Sequence, residues 1–187
     1  MSLSVALGPL VAQMGKELLG RTMKGEGWEL LGTYTATPTG GGRYHVDLDR
    51  ENPLRLVWGA NRQALVIPWA SMETDFASVP DVLQHMAPHS GVLHLDSRAY
   101  ERSALLHDAV YAAGWIYAVW QGRAVVVRLT REQADSLLYA AMRCEKATVA
   151  DAVAYYGAVS VFGKKPWRKW RANPPAWPTL YGRKALA

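Results

Sequence analysis

Apolar residues recur at helical spacing near the start of the chain. Leu3, Leu7, Leu10, Val11, Met14, Leu18 and Leu19 form one stripe and predict a helix over Ser2–Leu19, with a weak point at Gly8-Pro9. Gly25-Glu26-Gly27 breaks it. Strand-like runs follow at Trp28–Thr37, Arg43–Leu48, Leu54–Trp58 and Ala64–Trp69, separated by Pro38–Gly42, Asn52-Pro53 and Gly59–Arg62. Such short connections predict an antiparallel meander. Thr74–Ser97 reads as irregular, with a short helix at Val79–Met86. Ser97–Ala113 is helical in pattern, and Trp115–Trp120 with Ala124–Arg128 reads as a hairpin turning at Gln121-Gly122.

Helix starts are signalled twice more. Thr130-Arg131-Glu132-Gln133 is a capping box, so a helix should run from there to about Cys144. Thr148 opens another that ends at Gly163. Pro166, Pro174, Pro175 and Pro178 predict an extended arm beyond. The expected fold class is therefore α+β: one domain over 1–163, with an N-terminal helix and meander before a helical half with a small hairpin, and a basic, Trp/Pro-rich arm over 164–187.

The chain of 187 residues is long enough for one well-buried core. Its single cysteine, Cys144, allows no internal disulfide, which suits synthesis in a reducing cytoplasm. We expect Cys144 to be a buried thiol. No basic leader precedes the first apolar stripe, so no secretory signal is expected, and no apolar run is long enough to cross a membrane. The net charge of +5 is concentrated in the arm. Lys164, Lys165, Arg168, Lys169, Arg171, Arg183 and Lys184 are unopposed by any acid, and the rest of the chain carries 14 basic against 16 acidic residues. A nucleic-acid-binding role for the whole protein is thereby excluded. The arm alternates cations with Trp167, Trp170 and Trp177. That leaves open packing on its own domain, docking to another protein, or contact with nucleic acid or an anionic membrane surface.

Between Ser103 and Ala113 the strongly polar residues are His107 and Asp108, so both sit on a helix that must be buried on most sides. A buried imidazole and carboxylate each cost several kcal/mol unless paired. The Thr130 helix supplies Asp135 at the edge of its apolar face, in line with Arg131. We expect a direct His107–Asp135 hydrogen bond between the two helices, fixing the imidazole tautomer. Asp75 and Ser78 form a polar loop in Thr74-Asp75-Phe76-Ala77-Ser78-Val79-Pro80, expected near His107. Ser78 as a nucleophile lacks a Gly-x-Ser-x-Gly setting. His85, His89 and His94 lie close in sequence, but Pro88 interrupts the spacing a zinc site would use.

Together, Thr74-Asp75, Ala77-Ser78-Val79-Pro80, His107-Asp108, Tyr111, and Arg131 with Asp135 resemble the phage-associated domain-of-unknown-function family 1353. Phe162-Gly163 followed by Trp167 is similar to that family's ending. The resemblance implies a phage or prophage origin. His-Asp-x-x-Tyr with a later Asp is also similar to phospholipase A2 sites. That likeness implies His107 as general base, Asp135 as its orienter, Tyr111 as support, and Asp108, helped by Asp75, as a calcium ligand. No Tyr-x-Gly-x-Gly loop precedes His107. With that loop missing and an arm suited to docking, we expect a structural or accessory virion protein of the tail or injection apparatus, contacting other virion proteins through the arm. The alternative is a metal-assisted, phospholipase A2-like hydrolase acting on lipid or another envelope component.

Overall fold

In the computed structural model the described residues are 27–58, 63–76, 100–120 and 123–180. The expected helices at Ser2–Leu19 and Val79–Met86, together with Ser78, His85, His89 and His94, lie outside them. The strands are β1 (Trp28–Leu31), β2 (Tyr34–Gly40), β3 (Arg43–Leu48), β4 (Arg55–Trp58), β5 (Gln63–Val66), β6 (Ser71–Thr74), β7 (Trp115–Trp120) and β8 (Arg123–Arg128). The helices are α1 (Glu101–Ala113), α2 (Arg131–Cys144), α3 (Val149–Phe162) and α4 (Lys164–Ala172). All strand pairing is antiparallel, with α1 between β6 and the β7–β8 hairpin and the other helices after it, and the class is α+β.

The strands do not form one meander. They split into a five-stranded sheet, ordered β1-β4-β5-β7-β8, and a three-stranded sheet, ordered β2-β3-β6. The chain leaves the first sheet after β1 through Gly32, whose φ is +110° and where a Cβ would lie 2.4 Å from the Pro53 carbonyl oxygen. Such a corner admits only glycine. The return is held by Asp49, whose carboxylate accepts from the N–H groups of Glu51 and Asn52 and from the Thr33 hydroxyl. Strand β6, within and just before the stretch expected to be irregular, pairs with β3 through Tyr44↔Thr74 and Val46↔Met72. β2 is the exposed outer strand, which explains how it tolerates Pro38.

Alternation places Leu56, Leu65, Ile116 and Val127 of the larger sheet against α1 and α2, while Val57, Val66 and Tyr117 face the opposite side. Val46, Leu48 and Met72 of the smaller sheet join the same main core. Helix α1 is buried on most sides, as its composition demands. The α2 cap forms reciprocally: the Thr130 side chain accepts from Gln133 N–H, and Gln133 Oε1 accepts from Thr130 N–H. Thr148 caps α3 through the Asp151 N–H.

The extended arm is corrected by the structure. Its first nine residues are helix α4, and its tryptophans pack on the domain itself. Pro166 falls in the first turn, where an N–H has no helical acceptor, and the other prolines lie beyond the last turn. Trp167 meets Tyr111 edge-on at 5.1 Å, and Trp177 meets Trp69 edge-on at 5.5 Å. The Arg171 guanidinium donates to the carbonyls of Tyr111, Ala112 and Ala113 at the end of α1, and lies over the Trp167 ring. Helix α1 has no basic residue in its own last turn, so this cation completes it from a distance. Thr179 then bridges to Trp69.

Candidate functional site

Three helices converge beneath a cleft of about 580 Å³. Helix α1 contributes the adjacent His107 and Asp108 and, one turn further on, Tyr111. The end of β6 contributes Thr74 and Asp75. Phe162, Pro166, Lys169, Trp170 and Trp177 wall the far side, and Arg43 stands opposite on β3. The Thr74-Asp75 and His107-Asp108-Tyr111 segments therefore meet at one cleft, as the motif pairing led us to expect. Ser78 is not among the described residues.

Asp135 anchors the floor. It is completely buried, yet its carboxylate is well supplied with donors. The Tyr111 hydroxyl donates to Oδ1, Arg131 Nη1 donates to Oδ2 at 2.8 Å, and the Ser160 hydroxyl reaches Oδ2 at 3.5 Å. The same Arg131 nitrogen donates to the Ser160 carbonyl at 2.9 Å, fastening the last turn of α3 to α2. Gly163 makes the geometry possible, because a Cβ there would lie 2.4 Å from the Tyr111 hydroxyl oxygen. Burial, and then the Asp135 carboxylate, push the Tyr111 phenol far above its ordinary range, so it stays a donor.

The expected His107–Asp135 hydrogen bond is not made. His107 Nε2 stands 3.6 Å from Asp135 Oδ1, an ion-pair distance outside hydrogen-bond range. On the other side Nδ1 stands 3.9 Å from Asp108 Oδ1. Neither ring nitrogen has a hydrogen-bond partner among the described residues, and both are closed to solvent. The cause lies in the competing donors. Tyr111 and Arg131 hold the Asp135 carboxylate, while the Thr74 hydroxyl donates to Asp108 Oδ2 at 2.6 Å. His107, 3% exposed, is left between two carboxylates, with the Tyr111 ring tilted against it at 4.1 Å between centroids. Burial opposes charging the imidazole, but the Asp108 and Asp135 carboxylates outweigh it and raise its pKa above the ordinary value.

Asp108 is the more open member, with its side chain 22% exposed. Thr74 Oγ1 also accepts from the Phe76 N–H, which fixes the hydroxyl as it donates to Asp108. Asp75 and Asp108 both line the cleft, but among the described residues no three His, Cys, Asp or Glu side chains are grouped so as to hold a metal ion. Cys144 is half-buried on the far side of α2, and burial lifts its thiol to about 11, so it is inert.

Sequence reasoning named His107, Asp108, Tyr111, Arg131, Asp135, Thr74 and Asp75, and missed the cleft wall. Trp170, Trp177 and Lys169 lay in the supposed arm. Their signal was present as helical spacing, since Trp167, Trp170 and Arg171 fall on one side of a helix begun at Lys164.

No curated protein and no solved structure matches the chain. A family model described as protein of unknown function (DUF1353) matches residues 53–159, more than half the chain, from the segment before β4 into α3. Thr74, Asp75, His107, Asp108, Tyr111, Arg131 and Asp135 all lie within that span, and the chain belongs to the DUF1353 family.

Proposed function

We propose that the protein is a hydrolase in which His107 is the general base and Asp135 its orienting carboxylate. One observation carries this reading: a buried imidazole lies between two carboxylates, beside a cleft, with no hydrogen bond to either ring nitrogen. A purely structural histidine of this kind would be hydrogen-bonded, because an unsatisfied buried polar group costs about 1–3 kcal/mol. Perturbed titrating groups beside a cleft support a chemical role instead.

In this scheme Tyr111 and Arg131 hold the Asp135 carboxylate in place, and Asp135 faces the Nε2 side of the imidazolium that forms when Nδ1 takes a proton. A turn of the ring toward the cleft, past Asp108, brings Nδ1 to a water. That water attacks an ester-type carbon, Nδ1 takes its proton, and the imidazolium returns the proton to the leaving oxygen. Lys169 and Arg43 are the cations on the cleft walls suited to the developing negative charge. No metal enters the scheme.

The test is hydrolysis of a panel of carboxylic, phosphate and lipid esters. His107→Gln and Asp135→Asn should each abolish turnover that the native protein shows, while both variants remain folded by circular dichroism. Undiminished turnover in His107→Gln would overturn the assignment, as would a native protein inert on every class. The virion role is a separate proposal about where the protein acts. Its support is the resemblance alone, since residues 164–180 pack on the protein's own domain. Detecting the protein in purified virions tests it.

A further inference from the structure

Four large apolar side chains are strongly exposed among the described residues, and all four lie on α3: Val149 at 55%, Val153 at 53%, Val161 at 69% and Phe162 at 47%. Val149, Val153, Gly157 and Val161 follow one another at steps of four, so they form a single stripe. The opposite side of α3 buries Ala152, Tyr155 and Val159 against α2. The helix is thus apolar on both sides, and among the described residues only one side is packed against a partner.

The next segment supplies charge. Gly163 is helical at φ −67° and ψ −11°, and the Trp167 N–H bonds to its carbonyl, so α4 follows α3 with no intervening loop. Lys164, Lys165 and Arg168 then follow Val161 at three, four and seven positions, the spacings that share a helix face. All three are exposed. Trp167 and Trp170, on the other side of α4, pack on the core. From Ala152 onward the sequence contains no acidic residue.

An apolar stripe continued by unopposed cations has the composition of a helix that lies in a membrane interface. We propose that the α3–α4 face docks on an anionic lipid bilayer. The valines enter the headgroup boundary, and Lys164, Lys165 and Arg168 meet the anionic headgroups. A nucleic acid would satisfy the cations but would leave the valine stripe in water. No helix among the described residues is long and apolar enough to cross a membrane, so the contact is peripheral. Phe162 and Lys169 border both this face and the cleft, which turns the cleft mouth toward the bilayer. The proposal does not depend on the hydrolase reading, because it concerns binding alone.

The test is cosedimentation of the full chain with vesicles of phosphatidylcholine and phosphatidylserine in equal parts, and with phosphatidylcholine alone. The native protein should bind the first and not the second, with binding that weakens as salt rises. Each interfacial cation contributes about five-fold, so Lys164→Gln/Lys165→Gln/Arg168→Gln should weaken binding about a hundredfold. Val153→Ser/Val161→Ser should weaken it roughly tenfold through lost apolar contact. Every altered side chain is exposed, so the melting temperature should stay unchanged, which separates docking from folding. Absence of native binding, or equal binding to both vesicle types, overturns the proposal. So does binding that falls with the glutamines but ignores the serines while duplex DNA is retained equally well, which would mark a nucleic-acid surface. Sedimentation as a dimer that Val161→Ser disperses would mark a self-association face and overturn it too.

Discussion

Gly163→Ala should destabilise the protein, although alanine is ordinarily the better residue in a helical conformation. At φ −67° the backbone accepts either residue, and the ordinary gain is about 0.5–1 kcal/mol. Here the new Cβ would lie 2.4 Å from the Tyr111 hydroxyl oxygen and equally close to the Val159 carbonyl oxygen. Relief requires the hydroxyl to retreat by about 1 Å, which stretches its hydrogen bond to Asp135 past the favourable O–H···O distance. A hydrogen bond to a charged group contributes about 1.5–3 kcal/mol, so the loss exceeds the gain and the net penalty is about 1–2 kcal/mol. For a chain of this length that lowers the melting temperature by about 2–8 °C. Gly157→Ala supplies the control of opposite sign. It lies in the middle of α3, a Cβ there meets nothing within 4 Å, and the substitution should stabilise by about 0.5–1 kcal/mol. Urea unfolding with an unchanged slope reads both. In a Tyr111→Phe background the Gly163→Ala penalty should shrink without vanishing, because the Val159 carbonyl remains. If Gly163→Ala moves the midpoint in the same direction as Gly157→Ala, the tight Gly163–Tyr111–Asp135 packing is wrong.

The raised pKa of His107 has a defined pH signature. Its stabilisation is complete below the unfolded value of about 6.5 and is lost as pH rises through the higher folded value. Unfolding free energy should therefore decline on the alkaline side of 6.5, and His107→Gln should remove that slope; a variant with the native slope refutes the assignment. Arg131→Met should cost about 3–5 kcal/mol by leaving Asp135 buried without its cation, with most of that recovered in Arg131→Met/Asp135→Leu. A loss under about 1 kcal/mol in the single variant would show that the pair does not hold α2 and α3 together. Arg171→Ala should cost about 1.5–3 kcal/mol by stripping the carbonyls at the end of α1, and should change the fluorescence of Trp167 beneath it. A thermal melt that matches the native protein would rule that role out.

The parts of this fold that could be read from the chain are those fixed by local chemistry. Thr130 and Gln133 satisfy each other's backbone groups whatever the remainder of the protein does, so the start of α2 followed from four residues. The same is true of the Thr148 cap and of the hairpin from β7 to β8. The division into two sheets was not legible, because it depends on a corner at Gly32 that only the approach of Pro53 makes obligatory. Helix α4 was hidden because prolines were weighed by number rather than by position. At the site, burial and one-turn spacing brought His107, Tyr111 and Asp135 together correctly. They could not show which donor Asp135 takes, since that is decided by Tyr111 and Arg131 reaching it before the imidazole does. Thr74 was legible as a motif residue, but its bond to Asp108 joins positions 34 apart in the chain and has no local signature.

The bridge between Trp69 and Thr179 joins positions more than a hundred residues apart, with Ala70 N–H bonded to the Pro178 carbonyl and Leu180 N–H to the Pro68 carbonyl. During synthesis the helix bearing His107 leaves the ribosome long before Trp170 and Trp177 exist to wall its cleft. Until they arrive, Trp69 has no ring from the later segment to pack against, and the carbonyls ending α1 lack Arg171. Closing so long a loop is entropically slow compared with forming the capped helices. The floor of the cleft is thus assembled early and roofed last, and the emerging chain has no finished cleft until residues 164–180 have docked.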